Sequence, residues 1–293
     1  MRLQPYRDRD ISALVSLVNE RDILCYEFIP YSEEKLRVEL KEASYALLAV
    51  DEQDRVHGLA YLWPEWWGEI VILYAPAGPD QPDAGKQLLS AVEQQSRTGG
   101  LIALIDPADQ ERLAAFSASG YRSETISYHM VAQLGQMRPL PQVPEGYIIR
   151  SLRSDEEQAL IRLAEATYGM QRLEPAILGK WKTEDPAFSL DCIKVAQYGE
   201  QLVALVVARS DREYNRHYHA KRGYLGPAGT LPLHRGKGLT KALTAEAMNS
   251  LRERGMDTVC LHTLQRNQPA LAVARDLGFC PVHEWIILRK TLH

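Results

Sequence analysis

The feature that most limits how this chain folds is a repeated pattern in its two halves. The stretch LQPYRDRDISALVSLV, from Leu3, aligns with IRSLRSDEEQALIRLA, from Ile149, at an offset of 146. Both copies predict a short strand, a polar turn and an amphipathic helix. The same offset pairs SYALLAVDEQDRVHGLAYL with LDCIKVAQYGEQLVALVVA, and each predicts two strands joined by a polar turn. FSASGY and ARDLGF match near the two ends. Matches in one order predict a tandem duplication of an α/β unit.

The boundary between the copies is predicted at GQMRPLPQVPEG, residues 135–146. Its prolines cannot continue a helix or a central strand. We therefore predict domains at 1–134 and 147–293, and a length of 293 residues suits two domains. Long helices that follow strands predict an α/β fold in which each domain has a mixed central sheet flanked by helices.

Composition narrows the classes of partner. The net charge of −4 disfavours nucleic acid and anionic membranes. The longest apolar run, 202–208, is too short to span a bilayer, and MRLQPYRDRD has no apolar leader. Four cysteines lack CxxC spacing, which predicts reduced thiols, a cytoplasmic protein and no metal site.

The stretch most informative about chemistry is GYLGPAGTLPLHRGKGLTKALTAEAMNSLRERG, residues 223–255. Its pattern is a strand, a glycine-rich turn and a helix that begins near Leu239. Such a turn offers backbone N–H groups at a helix N-terminus, where the dipole favours an anion. Gly236 and Gly238 allow close approach, and Arg235 and Lys237 add positive charge. The turn predicts a phosphate or pyrophosphate site, although a tight connection alone is the structural alternative. The patterns GxxxxGK[ST] and GxGxxG are both absent from it.

The segment from Arg235 to Thr240 resembles the R-x-x-G-x-(G/A) acyl-CoA loop of the GNAT acetyltransferase superfamily. The family also expects a downstream strand, an asparagine, a helix and "GF". VCLHTLQRNQPALAVARDLGF supplies these, with Asn267 in the asparagine position and Gly278-Phe279 at the end. The duplication extends the resemblance more weakly over the first half. The layout is similar to that of tandem members of the family, mycothiol synthase among them.

The resemblance implies that acetyl-CoA is the cosubstrate and lies between two splayed parallel strands. One strand ends near Leu231 and the other near Thr263. Backbone groups next to the loop would pair with pantetheine, the loop N–H groups would hold the pyrophosphate, and an amine would attack the thioester directly. The residues predicted to bind the cosubstrate are Gly229, Thr230, Leu231, Arg235, Gly236, Lys237, Gly238, Leu239, Thr240 and Asn267.

Three positions of the second copy depart from the family pattern. Tyr224 stands where many members have a glutamate base, and Ala274 stands where many have a tyrosine that protonates the thiolate. Tyr224 is our candidate catalytic residue, although packing against a helix is an alternative role. A phenol with a pKa of about 10 is a poor base, so positioning water or substrate suits it better. Thr240 replaces a small residue, and its hydroxyl can donate to a phosphate.

The first copy departs more strongly. Its counterpart of the loop runs from Gln81 to Lys86, with Asp80 beside it. Pro82 lacks an N–H, and Asp80 and Asp83 would repel a pyrophosphate. We predict that residues 1–134 are a degenerate GNAT-like domain without an acyl-CoA loop.

The acceptor is predicted only as a class, a small-molecule or peptide amine, and the oligomeric state is undetermined. RSDREYNRHYHAKR, residues 209–222, is predicted to be a loop or long hairpin bordering the acceptor site, with a solvated hairpin as the alternative. The segment where the family gathers acceptor contacts contains Glu165, Tyr168, Trp181 and Asp191. The leading hypothesis is an N-acyltransferase whose C-terminal domain is active. The alternatives are a non-catalytic acyl-CoA-binding protein and an enzyme that acetylates protein N-termini.

Overall fold

The computed structural model describes residues 1–65, 67–75 and 84–292. The chain divides into two compact units. Unit 1 comprises Met1–Ser127 with Glu284–His293, and unit 2 comprises Tyr128–His283. The predicted domains differ from these units in two places. Residues 128–146, which include the predicted boundary segment, belong to unit 2, and the last ten residues pack with unit 1. The reason is strand pairing, because Ile286 to Thr291 lie antiparallel to a strand of unit 1.

Unit 1 is built on a mixed sheet. Its strands follow the order β1-β2-β3-β4-β5-β12. Neighbours from β1 to β4 are antiparallel, β4 and β5 are parallel, and β12 is antiparallel to β5. Its elements are β1 (Arg2–Pro5), α1 (Ile11–Asp22), α2 (Glu33–Glu42), β2 (Tyr45–Val50), β3 (Val56–Glu65), β4 (Gly68–Tyr74), α3 (Ala84–Glu93), β5 (Gly100–Ile105), α4 (Gln110–Ala118), the start of β6 (Arg122–Gln133) and the end of β12 (Cys280–Thr291).

Unit 2 repeats this plan. Its strands follow the order β6-β11-β10-β9-β8-β7, antiparallel from β7 to β10 and parallel between β10 and β11. Between the end of β6 and the start of β12 its elements are β7 (Tyr147–Ser151), α5 (Glu157–Tyr168), α6 (Ile177–Glu184), β8 (Ile193–Tyr198), β9 (Gln201–Ser210), α7 (Arg212–Tyr218), β10 (Arg222–Thr230), α8 (Leu239–Glu253), β11 (Thr258–Leu264) and α9 (Gln268–Asp276).

The repeat predicted from the sequence is confirmed by helices α1 and α5. Both ends of α5 lie 146 positions after the ends of α1. Leu14 and its counterpart Leu160 are both fully buried. The apolar spacing turns one stripe of each helix toward its sheet, and burying that stripe is what stabilises the helix there.

Strand β9 shows how the sheet of unit 2 is covered on both faces. Ala204, Val206 and Ala208 belong to the core beneath α8 and α9, whereas Leu205 and Val207 belong to the core beneath α5 and α6. Side chains alternate between the faces of a strand, so a strand covered on both sides is apolar throughout. The same alternation directs the side chain of Arg209 toward α5 and α6.

Two connecting segments differ in how well they were predicted. Residues 135–146 contain neither helix nor strand, as predicted. The segment 209–222 is not a loop or hairpin, because its centre forms α7. The Asn215 side chain accepts from Arg222 N–H (2.6 Å) and donates to Arg222 C=O (2.8 Å). These bonds close the end of α7 onto the start of β10. In the part of the chain that the structure describes, no helix is long and apolar enough to cross a membrane.

Candidate functional site

The centre of unit 2 is an opening between two parallel strands. Strands β10 and β11 pair only from Arg222 opposite Thr258 to Tyr224 opposite Cys260. Beyond Tyr224 they separate, although both continue for several residues. A register shift between Leu225 and Ala228 adds one residue to β10 relative to β9. Such a bulge re-aims a strand, and here it lies where the opening begins.

Two residues of β10 direct their backbone groups into the opening. Leu231 N–H donates to Val203 C=O at 2.9 Å, so Leu231 faces β9. Antiparallel pairs alternate between bonded and non-bonded positions, so Gly229 also faces β9. The intervening Thr230 and Ala228 face the other way. Of the three residues predicted to pair with pantetheine, Thr230 alone has its backbone on the open side.

The glycine-rich turn lies at the end of this strand. A single 3₁₀ turn, Pro232–His234, leads into it, and Gly238 is the N-cap of α8. Gly236 and Gly238 have φ angles of 76° and 75°, a left-handed conformation that strongly favours glycine. A Cβ atom at either position would meet no atom within 4 Å. The turn therefore exposes the N–H groups of the first turn of α8, which have no acceptor within the helix.

Polar side chains connect the turn to β10. The hydroxyl oxygens of Thr240 and Thr230 are 2.8 Å apart, and Arg235 Nε donates to Thr230 C=O at 3.1 Å. Lys237 Nζ lies 5.3 Å from the ring centroid of Tyr147. A hydrogen bond with Tyr147 raises the pKa of Lys237, so this lysine is cationic at neutral pH. Both basic residues of the turn stand beside an exposed row of backbone donors.

Asn267 and Ala274 are parts of the second half of the motif. Asn267 is the N-cap of α9, and its Oδ1 accepts from Ala270 N–H at 3.4 Å. This cap is the one role that the structure shows for Asn267. Its side chain is exposed to solvent. Ala274 is buried in the core of unit 2, at 2 % exposure. A proton donor to the site must therefore come from another element.

Tyr224 lies where β10 and β11 diverge. The guanidinium carbon of Arg209 is 5.9 Å from its ring centroid, and the imidazole centroid of His262 is 6.2 Å away. Burial raises the pKa of Tyr224 above its usual value of 10, and Arg209 offsets this in part. The phenol is therefore protonated at neutral pH and is able to donate a hydrogen bond.

Tyr168 reaches β10 from the last turn of α5. Its hydroxyl donates to Ala228 C=O at 2.8 Å and accepts from Ala228 N–H at 3.2 Å. Burial raises the pKa of Tyr168, so this phenol is also protonated. Its hydroxyl is thus held against Ala228, one of the two residues of β10 whose backbone groups face the opening.

The other residues singled out with Tyr168 occupy different places. Trp181 is buried beside Arg209, with the guanidinium carbon 5.3 Å from its ring. Asp191 pairs with Arg254 at 2.8 Å, just beyond the C-terminal end of α8 and so at the opposite end of that helix from the turn. Glu165 is exposed on α5. The sequence analysis included Arg209 only as the first residue of the segment 209–222, and it did not single out His262. The only available signal was the alternation along β9 and β11, and strand pairing was needed to use it.

Unit 1 retains a similar divergence of strands. Strands β4 and β5 pair only at Glu69–Leu101 and Ile70–Ile102. A cavity of about 310 Å³ lies beside the ends of these strands. Its lining includes Arg112, whose guanidinium pairs with Asp22 and Asp109 at 2.7 and 3.0 Å. The predicted loop counterpart from Asp80 to Asp83 lies outside the described residues.

Metal-binding side chains do not cluster in the part of the molecule that the structure describes. Among those residues, no three His, Cys, Asp or Glu side chains are grouped closely enough to hold an ion. The absence of a metal stays a prediction.

Known proteins resemble this chain in sequence and in fold. Residues 155–279 match the model of the acetyltransferase (GNAT) family. Mycothiol acetyltransferase of Segniliparus rotundus is 24% identical over 84% of this chain and 95% of that protein. The mycothiol acetyltransferase of Thermobispora bispora is 26% identical over 79% of each chain. A GCN5-related N-acetyltransferase from Sphaerobacter thermophilus has a similar structure, with a TM-score of 0.69 and 19% identity over 99% of this chain and 95% of that one. A tandem GNAT protein from the clavulanic acid pathway gives a TM-score of 0.65 and 16% identity, over 99% and 98%.

Proposed function

We propose that unit 2 transfers an acetyl group from acetyl-CoA to an amine acceptor, because residues 155–279 match the model of the acetyltransferase (GNAT) family. The observation that carries this proposal is the pair of open, left-handed glycines, Gly236 and Gly238, at the N-terminus of α8. They stand beside the opening between β10 and β11. An anion of pyrophosphate size suits exposed N–H groups at a helix N-terminus.

The loop would hold the pyrophosphate of acetyl-CoA. Backbone N–H groups from Gly236 to Thr240 would donate to it, and Arg235 and Lys237 would add positive charge. Thr230 would pair with the pantetheine arm, since its backbone faces the opening. Asn267 lies in the exposed position that the family motif expects, and we keep it as a contact of the cosubstrate.

The acetyl group would lie near Ala228, two residues before Thr230 along the open edge. Once the hydrogen bonds that they make with each other are exchanged for the ligand, Ala228 N–H and the Tyr168 hydroxyl would polarise the thioester carbonyl, which gains negative charge as the amine attacks. The Tyr168 O–H is also our candidate to protonate the departing thiolate, because the Ala274 side chain is buried and has no ionisable proton. Tyr224 would position the acceptor as a neutral donor.

The acceptor is proposed to be the amine of a small molecule. Support comes from the relatives in Segniliparus rotundus and Thermobispora bispora, which are named mycothiol acetyltransferase. One observation favours a second function. Neither familiar acid–base position carries a suitable group, which would suit a protein that binds acyl-CoA without turning it over. A protein N-terminus is the third possibility for the acceptor.

The loop can be tested with two glycine substitutions at opposite ends of α8. Gly238→Asp places a Cβ and a carboxylate where the pyrophosphate would approach. Gly255→Asp is the matched control, because Gly255 has φ of 81° and no atom within 4 Å of its Cβ position. The two positions are separated by the length of α8, roughly 22 Å for its 15 residues.

We expect Gly238→Asp to weaken acetyl-CoA binding by about 100-fold, from like-charge repulsion and a lost N–H contact, which corresponds to about 3 kcal/mol. Gly255→Asp should leave the affinity unchanged. Titration calorimetry measures both, and release of free CoA thiol against a panel of amines measures turnover. Binding without thiol release on any amine would favour the non-catalytic alternative. Equal losses from both variants would contradict the proposed loop.

A further inference from the structure

Arg209 differs from three other arginines of unit 2, each of which pairs with a carboxylate. Arg150 pairs with Glu156 at 2.6 Å, Arg222 with Asp211 at 2.8 Å, and Arg254 with Asp191 at 2.8 Å. Arg209 has no carboxylate partner among the described residues, and its buried Nε has no hydrogen-bond acceptor there. A buried donor without a protein acceptor is uncommon in folded proteins, so this N–H is available to a water molecule or a ligand.

The position of Arg209 connects it to the proposed reaction. Arg209 lies directly opposite Tyr224 in the β9–β10 pairing, so both side chains leave the same face of the sheet. Tyr224 is the last residue of β10 that pairs with β11. Arg209 therefore stands where the opening begins, on the face covered by α5 and α6.

Two aromatic rings hold the guanidinium. Its central carbon lies 5.3 Å from the Trp181 centroid and 5.9 Å from the Tyr224 centroid. Rings attract a guanidinium through their faces and leave its N–H edge for hydrogen bonds. A second cation is close by, since Arg172 lies 5.8 Å from the Tyr168 centroid and lowers the pKa of Tyr224.

We propose that the amine acceptor carries a carboxylate, and that Arg209 binds this carboxylate through its N–H edge. The inference rests on the proposed acetyl transfer and names the acceptor class more closely. A planar carboxylate matches the guanidinium fork with two parallel hydrogen bonds. Binding there would place the carboxylate end of the acceptor at Tyr224. Its amine would then extend toward Ala228, where Tyr168 contacts the strand.

The experiment compares an ω-amino acid with its carboxamide as acceptors at saturating acetyl-CoA. Wild type is expected to use the amino acid with at least about a 10-fold higher kcat/KM. Arg209→Met keeps an apolar stem over Trp181 and removes the fork. It should raise KM for the amino acid about 10-fold or more while KM for the carboxamide and kcat for both stay within about 2-fold. Arg252→Met, an exposed arginine in the last turn of α8, is the control and should retain the preference.

A second variant of Arg209 and a second type of acceptor complete the experiment. Arg209→Lys retains charge without the fork and should recover only part of the preference, and it replaces Arg209→Met should that variant fail to fold. An aminoalkyl phosphate distinguishes a phosphate from a carboxylate, and a higher kcat/KM for it would overturn the carboxylate assignment. Equal use of the amino acid and carboxamide by wild type would also overturn it, as would a preference that survives in Arg209→Met.

A failure of the acetyl transfer itself can be told apart from a failure of this inference. In that case no amine releases CoA thiol, although acetyl-CoA still binds. Calorimetric titration of the ω-amino acid and its carboxamide into the acetyl-CoA complex then tests the carboxylate contact without turnover. Selective binding of the amino acid, lost in Arg209→Met, supports the contact. Indifference to the carboxylate rejects it.

Discussion

Two tyrosines face the opening in unit 2, and their surroundings give them different chemistry. Burial raises the pKa of both Tyr168 and Tyr224 above 10. A general base must release its proton near the working pH, so a phenol of raised pKa is a donor and not a base. Tyr168 contacts the backbone at Ala228, whereas Tyr224 lies beside the guanidinium of Arg209. We therefore assign donation to the thioester to Tyr168 and positioning to Tyr224.

Replacing each tyrosine by phenylalanine separates the two roles. We expect Tyr168→Phe to lower kcat by about 100-fold, the usual scale for a lost proton donor, and Tyr224→Phe to lower it by less than about 5-fold. Steady-state release of CoA thiol measures both variants. Thermal unfolding serves as the control for packing, since each substitution keeps the ring. A 100-fold loss in Tyr224→Phe with little change in Tyr168→Phe would reverse the assignment.

The pH dependence of kcat/KM follows from the same pKa shifts. Both phenols bind their proton throughout the neutral range, because their pKa values are raised. Neither titration should therefore limit the rate between pH 6 and 9. The rate should rise with pH as the acceptor amine loses its proton, near pH 8 for an α-amine and above pH 10 for a lysine-type amine. Profiles of wild type and Tyr224→Phe on acceptors of different pKa measure this. A rise at one fixed pH on every acceptor would contradict it.

At the scale of elements, helix α8 serves two purposes at once. Its N-terminus forms the glycine-rich turn, and its body fixes the segment 135–146 to unit 2. The Asn249 side chain accepts from Arg138 N–H at 2.8 Å and donates to Arg138 C=O at 3.0 Å. Asn249 is 7 % exposed. The segment 135–146 has no secondary structure, but the hydrogen bonds between the Arg138 backbone and the buried Asn249 amide fix its position against α8.

Asn249→Ala removes both hydrogen bonds and leaves the partly buried peptide groups of Arg138 without these partners. We expect the free energy of unfolding to fall by about 1–3 kcal/mol. Urea unfolding measures this loss, and Glu253→Ala, an exposed position on the same helix, should change stability by less than about 0.5 kcal/mol. The affinity for acetyl-CoA should be retained, because Asn249 lies far along α8 from the turn. A loss confined to acetyl-CoA affinity would argue for a role of Asn249 at the site.

At the scale of the whole molecule, the two units share one plan, and the residues beside their strand openings differ. Both units have a parallel strand pair that separates after a few residues. In unit 1 the lining of the neighbouring cavity includes Asp106 and Asp109. The Arg112 guanidinium in this lining forms ion pairs with the carboxylates of Asp22 and Asp109. Carboxylates repel a pyrophosphate, so we propose that unit 1 is a degenerate copy that does not bind acetyl-CoA.

A stoichiometry of one acetyl-CoA per chain is therefore expected from titration calorimetry. The reason is the contrast between the open glycines of unit 2 and the acidic surroundings in unit 1. Gly238→Asp should weaken this single site about 100-fold, and no second site of unchanged affinity should remain, because unit 1 offers none. A stoichiometry of two, or a single site that survives Gly238→Asp, would contradict the degenerate copy.

Local chemistry made much of this protein predictable from its sequence. Helix α1 and its repeat α5 follow from apolar spacing, and the start of α8 at Leu239 follows from Gly238, which leaves the strand conformation through a positive φ. The expectation of a hairpin in 209–222 was wrong, because the side-chain bonds of Asn215 to Arg222 stabilise a short helix that no periodic pattern marks. The last strand was assigned to the wrong unit, since an apolar strand does not specify its partner.

The sequence by itself determined the loop, because every property of the loop is a property of a few consecutive residues. Two glycines, flanking basic residues and a following helix are enough to specify exposed N–H groups. Only the tertiary structure brought Tyr168 to Ala228, Arg209 to Tyr224, and Trp181 to Arg209. The two members of each pair come from separate elements and meet through strand register and helix packing. Side-chain alternation gives the face on which a residue lies, but it does not give the residue opposite it. The glycine-rich turn is local in the chain, whereas the side chains that would select and activate an acceptor are brought together by the fold.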